Sequence, residues 1–71
     1  MDIETISSLI LENIKKDRKL LEEIGENKKR TWLRFPGPIP PNLHKPITKR
    51  LKRNGETIKW LTDTDIEIKL H

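Results

Sequence analysis

Seventy-one residues bound the chain to one small domain, read here as residues 1–71, and a chain of this size buries only about 60% of the surface its unfolded form exposes. It has no cysteine, which excludes disulfides and thiolate metal sites. Its longest apolar run, around Leu9-Ile10-Leu11, is far short of the roughly 20 residues of a membrane span, and its acidic start does not read as a signal peptide. The expectation is a cytoplasmic, soluble protein without membrane association.

Charge is distributed unevenly. Residues 1–26 carry seven acids and four bases, and residues 55–71 carry four acids and two bases. Between them, residues 27–54 hold nine bases and no acid: Lys28, Lys29, Arg30, Arg34, Lys45, Lys49, Arg50, Lys52 and Arg53. The net +4 of the whole chain therefore understates the local field, which would attract a polyanion.

The first element reads as a helix. Ile3, Ile6, Leu9, Ile10, Leu11, Ile14, Leu20, Leu21 and Ile24 project onto one stripe about 200° wide at helical spacing. Asp2 suits the N-cap, and Gly25 suits the left-handed residue that ends a helix. The polar run Lys15-Lys16-Asp17-Arg18 would be the place for a break, but one long helix is the simpler reading.

Residues 26–35 read two ways. One is a short helix capped by Asn27. The other is a strand over Thr31-Trp32-Leu33-Arg34-Phe35, with Trp32 turned inward. Pro36-Gly37-Pro38-Ile39-Pro40-Pro41 then reads as an extended loop, because proline lacks the N–H and restricts its neighbour. A proline-rich ligand for a recognition module is the sharper alternative.

Asn54-Gly55 is the preferred pair for a two-residue hairpin turn. Pairing outward sets Arg53 opposite Glu56, Leu51 opposite Ile58 and Lys49 opposite Trp60. One face then holds Ile47, Leu51, Ile58 and Trp60, and the other holds Thr48, Arg50, Lys52 and Lys59. Ile66-Glu67-Ile68-Lys69-Leu70 alternates as a third strand, with a short helix capped by Thr62 or Asp63 as the runner-up. The expected class is α+β: a long N-terminal helix followed by a small antiparallel hairpin or three-stranded sheet.

No enzyme chemistry is legible. His44 in the proline loop and His71 at the terminus have no metal-ligand spacing, and the glycines are isolated. Asp63 and Asp65 are better explained as turn or cap residues than as a catalytic pair. No cofactor is expected.

From Leu20 onward the chain resembles the excisionases of temperate phages and conjugative transposons, and the AlpA-type prophage regulators. These are small basic winged helix-turn-helix proteins. Leu20-Leu21-Glu22-Glu23-Ile24-Gly25 looks like the end of a first helix and its turn, and residues 26–33 would be the recognition helix. Phe35-Pro36-Gly37-Pro38-Ile39 is similar to the family's Phe-Pro segment. Lys45-Pro46-Ile47 through Asn54-Gly55 to Ile58-Lys59-Trp60 would be the wing, and Thr62-Asp63-Thr64-Asp65-Ile66-Glu67 the start of a closing helix. The resemblance implies DNA binding in excision or transcription regulation of a mobile element, with an integrase or a second copy as protein partner.

The expected interface is thus Lys28, Lys29, Arg30, Arg34, Lys45, Lys49, Arg50, Lys52, Arg53 and Lys59 on double-stranded DNA. Two other classes remain open. Exposed Trp32 and Trp60 with a basic hairpin would also suit RNA or a ribosome. A basic face meeting an acidic partner would suit a protein-interaction or inhibitor module.

Overall fold

The computed structural model describes residues 2–70, and His71 lies outside them. The order of elements is α1 (Ile3–Ile24), β1 (Arg30–Arg34), α2 (Pro41–Arg53), β2 (Thr57–Trp60) and β3 (Asp65–Lys69). The three strands form one antiparallel sheet in the order β1-β3-β2. This is an α+β fold with the long N-terminal helix and three-stranded sheet that the sequence implies.

The ends of α1 follow from its caps. The Asp2 carboxylate accepts the Thr5 N–H at 2.7 Å. Gly25 takes φ 71°, and two reverse bonds close the helix: Gly25 N–H to the Glu22 carbonyl at 3.3 Å and Glu26 N–H to the Leu21 carbonyl at 3.0 Å. The polar run at 15–18 does not interrupt it. Only the first half of the apolar stripe is enclosed, through Ile6, Ile10 and Ile14, whereas Leu20 and Ile24 are each 56% exposed. The reason is length. Twenty-two residues extend about 33 Å, and strands of five residues cover only about 17 Å. α1 is thus about twice as long as the strands, and of its last turns Leu21 still packs against the core.

The expected hairpin across Asn54-Gly55 is not formed. Residues 41–53 are a second helix, so the pairing of Leu51 with Ile58, Lys49 with Trp60 and Arg53 with Glu56 does not occur. The turn that asparagine-glycine favours in hairpins needs positive φ at both residues. Here Asn54 has φ −91° and Gly55 alone is left-handed, at φ 79°. Gly55 N–H bonds the Lys52 carbonyl at 3.0 Å and Glu56 N–H the Leu51 carbonyl at 2.9 Å, the same closure as at Gly25. Asn-Gly is a helix stop.

The prolines fit this helix. Pro41 occupies its first position, where a missing N–H costs nothing. Pro46 lies inside and leaves the Asn42 carbonyl without its helical donor, at an exposed residue where solvent can reach that group.

The true hairpin joins β2 to β3, with Ile58 opposite Ile68 and Trp60 opposite Ile66. Residues 61–64 form its turn, in which Thr62 accepts the Asp65 N–H at 3.0 Å, so no closing helix begins there. The alternation read in 66–70 is a strand, as expected.

One core fills the space between the helices and the sheet: Ile6, Ile10 and Ile14 of α1, Ile47 and Leu51 of α2, Ile58, Ile66 and Ile68 of the sheet, and Phe35, Ile39 and Leu70 from its margins. Phe35 and Ile39 pin the proline segment, whose Ile39 N–H also bonds the Asp63 carbonyl at 2.8 Å. The segment is therefore part of the fold and not a free proline-rich ligand. Arg18 clamps α1 to the turn after α2, donating to Glu56 Oε1 at 2.7 Å and with a second bond to Oε2.

Two stability outcomes follow. Leu51 is fully enclosed, so Leu51→Ala should cost about 2–5 kcal/mol, and Lys52→Ala beside it should stay within about 0.5 kcal/mol, both read from denaturant titration. The Ser7 hydroxyl is buried without a hydrogen-bond partner, so Ser7→Ala should leave the melting temperature equal or higher.

Candidate nucleic-acid interface

The fold sorts the basic block into cations with acidic partners and cations without. Arg34 grips Asp65 on the neighbouring strand, Nε to Oδ1 at 2.7 Å and Nη2 to Oδ2 at 3.4 Å. Arg30 lies 3.5 Å from Glu67, and Arg50 lies 3.8 Å from Glu4 at the start of α1. Lys28, Lys29, Lys45, Lys49, Lys52, Arg53 and Lys59 have no acidic group within 4.0 Å among the described residues.

Four of these gather on α2. At about 100° per residue, Lys45, Lys49, Lys52 and Arg53 fall within an arc of about 100°, opposite the buried Ile47 and Leu51. All four are exposed, and Asn42 shares their side of the helix. No acid occurs on α2, and its last turn carries Arg50, Lys52 and Arg53, which suit the negative end of the helix dipole.

Lys28 and Lys29 do not join this face. They precede β1, because residues 30–34 form the strand of the two readings and not the recognition helix that the resemblance implies. Trp32 points away from the core, not into it: Thr31 and Leu33 are its half-buried neighbours, and Trp32 is 59% exposed. Lys59 stands on the same outer side of the sheet.

Trp60 is committed to structure rather than to a ligand. Its ring stacks on His44 at 3.7 Å with an interplanar angle of 2°, and on Phe35 at 5.9 Å. Its Nε1 donates to Thr48 Oγ1 at 2.9 Å, which in turn donates to the His44 carbonyl at 2.7 Å. His44 Nε2 lies 2.8 Å from the Ile39 carbonyl and 3.7 Å from Asp63. Among the described residues no group of three acids, histidines or cysteines converges as a metal site, and no helix is long and apolar enough to cross a membrane.

Compared with known proteins, the chain matches no family model, no curated protein and no solved structure.

The Arg34–Asp65 pair sets an acid limb. The bond from Arg34 holds the Asp65 carboxyl below its ordinary 3.8, and the same pairing raises Arg34. A carboxylate depressed in the folded state stabilises above its unfolded pKa, and that contribution is lost as pH falls through the folded value. Acid titration followed by circular dichroism should show stability declining below pH 3.8, and Asp65→Asn should make that decline shallower.

Proposed function

We propose that the chain is a non-enzymatic binder of double-stranded DNA, with the solvent face of α2 as its contact surface. The observation that carries this reading is the convergence of Lys45, Lys49, Lys52 and Arg53 on one helical face without an acid on the helix. A helix with side chains is about 10–12 Å across, and the major groove is about 12 Å wide. Cations along such a helix neutralise phosphates on the groove's walls and release condensed counterions.

Affinity and reading are separable on this face. Lys49, Lys52 and Arg53 lie toward the C-terminal half and suit phosphates. Asn42 and Lys45 lie near the N-terminus, the part of a recognition helix that meets base edges. Asparagine suits adenine N6 and N7, and lysine suits guanine O6 and N7. Pairing of Arg30, Arg34 and Arg50 with acids makes them weaker contributors than their charge implies.

The excisionase-like resemblance assigned base reading to residues 26–33, which do not form a helix. The proposal therefore rests on α2, and excision or transcription regulation is the process class it would serve. With Lys49, Lys52 and Arg53 on phosphates, log K should fall against log salt with a slope of about −3. Lys49→Ala or Lys52→Ala should each reduce that slope by about one and weaken all sequences alike, whereas Lys45→Ala should relax preference at one base position. Asn42→Ala should likewise relax preference at one base position in a duplex selected from a random pool. Absence of duplex binding at low salt, or a salt-independent affinity, would refute the reading.

A further inference from the structure

The outer face of the sheet carries a second constellation, independent of α2. Ile58, Ile66 and Ile68 point into the core, so alternation sends Arg30, Trp32, Lys59, Glu67 and Lys69 to the opposite face. The register sets Trp32 beside Glu67 and Glu67 beside Lys59, with Arg30 and Lys69 paired in the next row. Trp32 is 59% exposed and, among the described residues, has no aromatic partner and no place in the core. Leu61, 46% exposed, flanks it across a shallow hollow of about 320 Å³.

Next to the ring lies a basic depression of about 360 Å³, lined by Lys29, Arg30, Lys59 and Lys69 around the single acid Glu67. Arg30 takes up Glu67 at 3.5 Å, which leaves Lys29, Lys59 and Lys69 without an acidic group within 4.0 Å among the described residues. An open aromatic face beside clustered ammonium groups is complementary to a nucleotide whose base is unpaired. The ring offers a stacking surface that accepts any base, and the lysines offer charge to the backbone. Duplex bases are already stacked on each other and cannot use such a ring.

We infer that this face binds single-stranded nucleic acid, with one base stacked on Trp32 and the flanking phosphates over Lys29, Lys59 and Lys69. The site lies on the side of the sheet turned away from the core and does not depend on the α2 reading. It recognises a strand without sequence, since stacking and charge carry no base code.

The test measures anisotropy of labelled ten-nucleotide oligo(U), oligo(dT) and a duplex at low salt, against the intact chain and three variants. Trp32→Ala should weaken both single strands by about fivefold or more, the smallest loss expected for one base stack, and leave the duplex unchanged. Trp32→Phe should retain most of the affinity. Replacing Lys45, Lys49, Lys52 and Arg53 together by alanine should weaken the duplex and spare the single strands, so the two surfaces fail separately. Preference for oligo(U) would assign RNA as the occupant, and equal affinity a strand of either kind. Single strands that do not bind the intact chain, or bind Trp32→Ala equally well, overturn the inference. So does a dimeric mass by light scattering that reverts to monomer in Trp32→Ala, which would give this face to a second copy. Circular dichroism of Trp32→Ala should match the intact chain, because the ring is not part of the core.

Discussion

Ile47 and Leu51 are wholly enclosed one turn apart on α2, and this fixes the rotation of that helix about its axis. Everything on the opposite side is then decided. With those two side chains against Ile6, Ile10 and Ile14, residues 45, 49, 52 and 53 have no choice but water. Burying an unpaired lysine is too costly for any other rotation to compete. The charged face of α2 is thus a consequence of packing, and its cations stand in solvent without disturbing the core.

Two polar devices hold the same geometry. Trp60 ties β2 to α2 through Thr48 and to the proline segment through His44 and Phe35. Arg18 reaches Glu56 immediately after the helix stop at Gly55, so the C-terminal end of α2 is anchored to α1 as well. The proline segment therefore acts as a strut that delivers Pro41 to the first position of α2. A chain this small has little core, and these links supply part of the rigidity that burial alone would not.

Legibility in the sequence depended on how unambiguous each period was. The stripe from Ile3 to Ile24 fits only a helix, and Ile66-Glu67-Ile68-Lys69-Leu70 alternates as a strand; both forms are found. The α2 segment misled because Leu43, Ile47 and Leu51 are spaced by four, and four residues return to the same face in a helix and in a strand alike. Asn54-Gly55 then favoured the strand. The discriminating signal was lysine: a strand puts Lys45 and Lys49 on the face of Ile47 and Leu51, whereas a helix turns both outward. The basic block was legible as charge. Its division into paired and unpaired groups was not, because Asp65, Glu67 and Glu4 approach Arg34, Arg30 and Arg50 only through sheet pairing and helix packing.

The central claim is that α2, and not the segment before β1, presents the chain's binding face. Amide chemical shifts of the isotopically labelled chain, followed as a short DNA duplex is added at low salt, test it most directly. The account predicts that the shifts gather on Asn42, Lys45, Lys49, Lys52 and Arg53. Shifts gathered on residues 28–30 with α2 unmoved, or none anywhere, would contradict it.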